Sequence, residues 1–401
     1  MKIRSITYTL DLNRVGELEY NKKVQQRIEI IRKEFDKGNV EIRTVRFNTS
    51  LLELKDELFF EDYRQKLFKV RELALSCDVR WFNLPLDLWG CPKAVFQTNC
   101  KTILLLIREF RELFVNVLIP AHVSKDVLKI KALVELMRDI SKISSNGYDS
   151  FRFGLSCNSV VNTPFFPYSF GNSDNGFSIA LESVSPILES IKSFKSDNRV
   201  CNNVDLLNAI KKDLIQHFCV LDAILDKTNL KQYFTGFDAS LAPFPNEDIS
   251  VLDVLEEFGL EEFGSYGTVY VTESLTYMLK SALLESGVIS TGFNGVMYSL
   301  LEDKRLCASN DNDRFDINSL MLYSTVCGCG LDMIPIPGEF IVEEIASLIL
   351  DVSSLAVKHD KPLGIRLLPI PFKWYGDRTE FNMDFLADTK LMSLNNTSLN
   401  I

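Results

Sequence analysis

The sequence lacks any apolar run long enough to cross a membrane. Its longest runs, Ile103 to Ile107 and Phe114 to Pro120, are interrupted by arginine, glutamate or asparagine well before the roughly 18 residues that a membrane span needs. The first residues, Met1 to Tyr8, alternate at strand period and have neither the apolar core nor the cleavage site of a signal peptide. We therefore expect a cytoplasmic protein without a membrane partner.

The sequence also lacks a basic face, a disulfide pattern and the usual catalytic motifs. A net charge of −10 disfavours nucleic acid, because neutralising phosphates requires concentrated positive charge. Nine cysteines at irregular spacing indicate a reducing compartment, and three scattered histidines do not complete a metal site, so we predict no metal. No phosphate loop, nucleophile elbow or zinc-peptidase motif is present. A small-molecule ligand is favoured, and the sequence gives no indication of a cofactor.

The order of predicted elements is that of an α/β protein. Lys2 to Leu10 and Glu41 to Phe47 are predicted strands. One helical face between them carries Val24, Ile28, Ile31 and Phe35. This alternation recurs for about ten steps over roughly 385 residues, which exceeds an eight-stranded barrel of about 250 residues. The count therefore predicts either a larger barrel or a two-lobed α/β body.

The segment from Val326 to Gly338 combines thiols, glycines and a carboxylate beside a predicted buried strand. Backbone N–H groups at Gly328 and Gly330 would lower the pKa of Cys327 and favour a nucleophilic thiolate. The alternative is a buried cysteine at a tight turn. A dinucleotide-binding loop is excluded, because the third glycine is missing and Pro335 lies where the helix would start.

Several charged residues lie in apolar surroundings. Asp332, Asp238 and Arg366 each interrupt a predicted buried strand, and a buried charge must be paired or hydrogen-bonded. The two aspartates are candidates for acid/base or orienting roles, or they brace loops. Together with Arg366 they form either an ion-pair network or an anion-binding pocket. Glu380 lies in a Gly-Asp turn, which is a surface turn or a further binding position.

Seven short segments follow one another in the order seen in one family of unknown function. They are residues 163–167 (TPFFP), 177–183 (FSIALES), 238–243 (DASLAP), 263–268 (FGSYGT), 291–297 (TGFNGVM), 326–338 and 361–363 (KPL). On these segments the chain resembles the domain of unknown function 711 family in its archaeal-type form. The resemblance implies the ten-stranded α/β barrel of glycyl radical enzymes such as pyruvate formate-lyase, with Cys327 on a loop in the barrel centre. It further implies one barrel domain over residues 1–388, a polar tail over 389–401 and a homodimer.

Two departures from these patterns limit the chemistry. The Arg-Val-x-Gly-Tyr signature that carries a glycyl radical is absent, so radical chemistry is not predicted. Asn382 and Met383 stand where the family tends to have two glycines.

The favoured hypothesis is an enzyme that acts on a small anionic metabolite at one central site. Cys327 would be the nucleophile or proton donor, and Asp332 and Asp238 the acid/base or orienting groups. The substrate-binding residues would be Arg366, Glu380, Gly328 and Gly330. The alternative is a non-catalytic metabolite-binding or regulatory protein.

Overall fold

The computed structural model describes residues 1–121, 126–171, 175–197, 202–245, 249–394 and 399. Within these ranges it is a mixed α/β protein with ten strands and eleven α-helices. The strands are β1 (Lys2–Leu10), β2 (Val45–Thr49), β3 (Leu52–Glu53), β4 (Trp81–Asp87), β5 (Leu113–Ile119), β6 (Phe153–Cys157), β7 (Phe177–Glu182), β8 (Phe234–Asp238), β9 (Gly330–Pro337) and β10 (Leu363–Ile370). The helices are α1 (Leu18–Lys37), α2 (Phe60–Ser76), α3 (Lys93–Glu109), α4 (Val127–Ser141), α5 (Val184–Asp197), α6 (Asn203–Asp226), α7 (Val251–Glu257), α8 (Thr268–Ser286), α9 (Lys304–Asp311), α10 (Ile317–Ser324) and α11 (Val342–Lys358).

All ten strands belong to one sheet, in the order β8-β7-β1-β2-β4-β5-β6-β10-β9, with the short β3 beside β4. Strands β1, β2, β4, β5 and β6 form a parallel block. On either side of this block the pairs β7–β8 and β10–β9 run in the opposite direction. The α/β class expected from the sequence is confirmed. The apolar face of α1 is buried as predicted, at Val24, Ile28, Ile31 and Phe35.

The two edge strands of the sheet, β8 and β9, are not paired with each other by a regular ladder. The sheet is therefore not closed, and the predicted barrel is not confirmed. Residues 290–299 lie between the two edges and make isolated bridges to both. Ser290 and Val296 bridge to Phe237 and Leu241 on the β8 side, and Ser299 bridges to Asp332 in β9.

Residues 163–171, hereafter the central segment, cross one face of the sheet without regular structure, as their prolines predict. The Thr7 hydroxyl in β1 donates to the Pro164 carbonyl at 2.8 Å, and the Asn83 amide in β4 donates to the Ser169 carbonyl at 2.6 Å. Gly364 in β10 leaves the space that the Tyr168 ring fills, because a Cβ atom there would collide with it.

These contacts show that the sheet is strongly curved. Strands β1 and β10 are five inter-strand spacings apart, which is about 24 Å along a flat sheet. Pro164, which contacts β1, and Tyr168, which contacts β10, are separated by at most about 14 Å of chain. The sheet therefore wraps around the central segment, and this curvature brings side chains from distant strands together.

Candidate functional site

A small cavity lies where the amino-terminal ends of β1, β2, β4 and β5 approach β9 and β10. It has a volume of about 50 Å³, which is room for only a few water-sized groups. Its polar lining consists of Arg4, Arg46, Arg366, Glu302, Asp332, Ser299 and Tyr168. Its apolar lining consists of Trp81, Phe114, Phe151, Phe165, Phe166, Ala242, Pro243 and Met297. We call this space the arginine cavity.

Asp332 and Arg366 form a buried two-pronged ion pair in the arginine cavity. The Arg366 Nε atom donates to Asp332 Oδ1 at 2.8 Å, and Nη2 donates to Oδ2 at 2.9 Å. Their side chains are 2% and 3% exposed. The β9–β10 ladder shifts register here, with Ile365 opposite Leu331 but Leu367 opposite Ile334. Such an irregularity re-aims side chains, and it lets both charged groups enter the same space.

Asp332 favours the charged form of Arg366. Burial is the largest single effect and lowers the pKa of Arg366, but the charges of Asp332, Tyr168 and Glu302 and the hydrogen bonds to Asp332 together outweigh it, so the net direction is upward. The Tyr168 hydroxyl donates to Asp332 Oδ1 at 2.6 Å. Burial, followed by the charge of Asp332, raises the pKa of Tyr168 well above its usual value. Tyr168 therefore stays a proton donor to the carboxylate.

Arg4 enters the cavity from a second irregular point of the sheet. The β1–β7 ladder shifts register between Ile3 and Ser5, which places Arg4 at the irregularity. The Arg4 Nη2 atom donates to Glu302 Oε2 at 2.7 Å, and the other carboxylate oxygen of Glu302 lies 3.5 Å from Arg366. Glu302 therefore bridges two arginines that come from opposite parts of the sheet.

Arg46, at the start of β2, is the third arginine of the cavity, and its state differs from that of the other two. Its side chain makes no hydrogen bond and no ion pair with the described residues; the residue is partly exposed, but its Nε atom is buried and has no acceptor. The Phe166 ring lies 5.3 Å from its guanidinium carbon, a cation–π distance. Burial, and next the charge of Arg4, lower the pKa of Arg46 from 12.5 to about 10. It remains a cation at neutral pH.

Ser299 provides a second polar group without a partner. Its side chain is 2% exposed, and its hydroxyl has no hydrogen-bond partner within the described residues. Buried polar atoms in folded proteins are nearly always hydrogen-bonded, so an unpaired one indicates a missing ligand or water. The arginine cavity thus holds two such atoms, the Arg46 Nε and the Ser299 Oγ.

Cys327 does not line the arginine cavity. It is 1% exposed on the turn before β9, and its carbonyl accepts a hydrogen bond from Lys361. The hydrogen bond from Cys329, aided by the charge of Lys361 and opposed by burial, lowers the pKa of Cys327 from 9.0 to about 6. The neighbouring Cys329 has a raised pKa, first because of its hydrogen bond to Cys327. The Cys327 thiol thus has a lowered pKa and is enclosed.

The two predicted glycines support this turn through close packing. A Cβ atom on Gly295 would lie 2.9 Å from the Gly328 backbone, so the two segments touch directly. Gly330 has a φ of +86°, in the left-handed region that favours glycine. Neither residue lines the arginine cavity.

Asp238 braces a loop rather than lining the cavity. Its carboxylate accepts hydrogen bonds from the Ser240 hydroxyl at 2.6 Å and from the backbone N–H groups of Ser240, Phe293 and Asn294. Gly292 packs so closely that a Cβ atom there would collide with the carboxylate. Burial raises the pKa of Asp238, although these donors oppose the shift.

Glu380 lies on the surface, where its carboxylate is 3.0 Å from Lys373 and 68% exposed. Of the predicted site residues, the structure brings Asp332 and Arg366 together, while Cys327, Asp238 and Glu380 lie outside the arginine cavity. Five lining residues are not predicted from the sequence, namely Arg4, Arg46, Glu302, Ser299 and Tyr168. For Arg4 and Arg46 the sequence does carry a signal, because each is an arginine inside or at the start of an apolar strand, as Arg366 is.

The described residues contain no group of three or more potential ligands that would hold a metal ion. Among them, no helix is long and apolar enough to cross a membrane.

Comparison with known proteins places the chain among uncharacterised bacterial relatives. A UPF0210 protein of Lactobacillus delbrueckii subsp. bulgaricus is 26% identical over 262 residues, which cover 63% of this chain and 56% of the relative. A UPF0210 protein of Ligilactobacillus salivarius is 29% identical over 254 residues, covering 61% and 55%. A UPF0210 protein of Neisseria gonorrhoeae is 25% identical over 264 residues, covering 65% and 58%.

The chain thus spans somewhat over half the length of the curated relatives that it matches, and these names assign no reaction. Because the relatives are bacterial, the expected archaeal-type form is not supported. Residues 1–382 match the family described as Uncharacterised ACR (DUF711), and the chain belongs to that family.

Proposed function

We propose that this protein binds a small anionic metabolite in the arginine cavity. The observation that carries the proposal is the Arg46 guanidinium, which lines a cavity without any anionic partner of its own in the described chain. Arginine is the residue best suited to planar, two-pronged recognition of carboxylates and related oxyanions. The unpaired Ser299 hydroxyl adds a further donor to the same space.

The energetics support a ligand. The Arg46 Nε atom and the Ser299 hydroxyl are buried without acceptors, and each unmade hydrogen bond of a buried donor costs about 1–3 kcal/mol. A bound anion would supply the missing charge and accept from both Arg46 and Ser299. The remaining arginines already have carboxylate partners, so they hold the walls of the cavity in place while Arg46 is free to bind.

A thermal-shift screen with small anions tests this proposal. An anion that binds should raise the melting temperature of the wild type in a concentration-dependent way. The Arg46→Met variant should lose the response, while the control Arg108→Met, which removes the same charge from an exposed helix position, should keep it. An equal response in all three proteins would contradict the proposal.

The same screen separates binding from catalysis. Recovery of the stabilising ligand unchanged supports a binding or regulatory protein, which is the function that this geometry favours. Conversion of the ligand would favour the enzyme predicted from the sequence. If the ligand is converted, the Cys327→Ser variant tests the role of Cys327 as nucleophile. This variant should abolish turnover and leave the melting temperature within a few degrees.

For the fold, we propose that residues 290–299 close the curved sheet into a barrel like that of the glycyl radical enzymes. The isolated bridges of this segment to both edges of the sheet support this closure. A crystal structure tests the closure, which requires continuous pairing of residues 290–299 with both edge strands. A cytoplasmic homodimer is part of the same proposal, and light scattering of the purified protein tests the dimer.

A further inference from the structure

Charge balance in the arginine cavity suggests which class of anion it accepts. Arg4, Arg46 and Arg366 face the carboxylates of Glu302 and Asp332. Asp332 is committed to Arg366, and Glu302 is shared between Arg4 and Arg366. Glu182 lies 4.0 Å from Arg4, but it is outside the cavity lining and is also paired with Arg43. Among the groups that line the cavity, one positive charge is left over, and it belongs to Arg46. A single negative charge would neutralise the cavity.

A second negative charge on the ligand would have no cation left to pair with. It would also lie in the same small space as the Glu302 carboxylate, which lines the cavity. Repulsion between like charges is strong where water is excluded, because the effective dielectric constant is low. Glu302 therefore disfavours divalent anions while it holds Arg4 and Arg366 in position.

The hydrogen-bond donors and the size of the cavity further restrict the kinds of ligand that can bind. Arg46 Nε and Ser299 Oγ are two donors without acceptors, and one carboxylate offers two acceptor oxygens. A volume of about 50 Å³ admits only a few non-hydrogen atoms. The rings of Phe114, Phe151 and Phe166 line the space and provide no further polar partner for a ligand.

Resting on the anion-binding function proposed above, we infer that the arginine cavity selects a monovalent oxyanion, of the class of small monocarboxylates. In this inference Arg46 and Ser299 bind the anion, and Glu302 is the residue that determines its charge. The ligand would consist of one carboxylate-like group with one negative charge and few other non-hydrogen atoms.

Affinities of matched anions test the inference. Acetate and nitrate serve as monovalent probes, and oxalate and sulfate as divalent ones, each titrated against wild-type protein by calorimetry at constant ionic strength. We expect the monovalent probes to bind the wild type at least about tenfold more tightly than the divalent ones, which corresponds to about 1.4 kcal/mol. Divalent anions that bind the wild type as tightly or more tightly would overturn the inference while leaving the anion-binding function intact. Failure of every probe to bind would overturn both.

The Glu302→Gln variant provides the decisive comparison, because it removes one negative charge and keeps a hydrogen-bonding group of the same size. We expect this variant to reverse the preference: losing the carboxylate favours a divalent anion about twice as strongly as a monovalent one, so the affinity of oxalate or sulfate relative to acetate should rise more than about tenfold. The control Glu29→Gln removes the same charge from an exposed position of α1 and should keep the wild-type preference. An unchanged preference in a folded Glu302→Gln variant would contradict the role of Glu302. If that variant does not fold, the wild-type affinity ratio alone decides the inference.

Discussion

The arginine cavity and the cluster around Asp238 are both built from buried polar groups in an apolar interior, yet they differ in how completely those groups are paired. Asp238 receives four hydrogen bonds, and none of its polar neighbours Ser240 and Asn294 is left with an unpaired buried side-chain atom. The arginine cavity retains an unpaired cation and an unpaired hydroxyl. Buried charge therefore identifies both regions, and they differ in pairing: the cluster around Asp238 is complete, while the proposed site keeps two donors without acceptors.

The largest expected effect comes from breaking the two-pronged ion pair of the cavity. Asp332→Asn removes the carboxylate that Arg366 contacts twice and leaves the buried guanidinium with two longer contacts, to Glu302 and to the Phe166 carbonyl, each at 3.5 Å. We expect a loss of about 3–5 kcal/mol in the free energy of unfolding, measured by urea denaturation. Arg46→Met is the matched control, because it removes a cation that has no partner, and it should leave stability unchanged or slightly higher. A loss in Arg46→Met as large as that in Asp332→Asn would show that Arg46 is paired in solution.

A smaller loss is expected in the fully paired cluster. Asp238→Asn keeps the shape of the side chain but replaces one acceptor oxygen by an amide that cannot accept, which leaves backbone N–H donors of the loop unpaired. We expect a cost of about 1–3 kcal/mol in the same urea experiment. Anion binding by the folded variant should match that of the wild type, since Asp238 does not line the arginine cavity. Abolished binding in a folded Asp238→Asn protein would join the two regions into one site.

The lowered pKa of the Cys327 thiol predicts that the stability of the protein depends on pH between about 6 and 9. The pKa of this thiol falls from 9.0 to about 6 on folding, so the unfolded chain binds more protons than the native protein between these values. The thiolate therefore contributes stability that is present above the unfolded pKa and is lost as the pH falls through about 6. The stability difference between the wild type and Cys327→Ser should grow from pH 6 towards pH 9. A difference that stays constant over this range would mean that the thiol is not ionised in the native protein.

The sequence predicts the α/β class and the apolar faces of the helices because these follow from local periodicity. It also identifies Asp332 and Arg366, because a charge inside an apolar strand is visible in one dimension. The sequence does not show that Arg4 and Arg366 line one cavity. Their proximity depends on register shifts in two ladders and on the curvature of the sheet around the central segment. Asp238 is selected as a site candidate for the same reason as Asp332 and Arg366, but the sequence does not show that nearby backbone N–H groups already donate to its carboxylate. The second strand was predicted at Glu41 to Phe47 and covers Val45–Thr49, where it pairs with β1 and β4.

The smallest expected change in stability is at Ser299, because its buried hydroxyl has no partner within the described chain. Ser299→Ala removes a hydroxyl that has no partner within the described chain, so its loss should change the free energy of unfolding by no more than about 0.5 kcal/mol. The same change removes a protein hydroxyl that would donate to the ligand. We therefore expect acetate binding, measured by calorimetry, to weaken about threefold to tenfold. The matched control is Ser240→Ala, whose hydroxyl donates to Asp238 at 2.6 Å and should therefore cost stability without affecting acetate. If Ser299→Ala destabilised the ligand-free protein as much as Ser240→Ala does, the hydroxyl would be part of the internal structure, and the contrast between the two regions would no longer hold for Ser299.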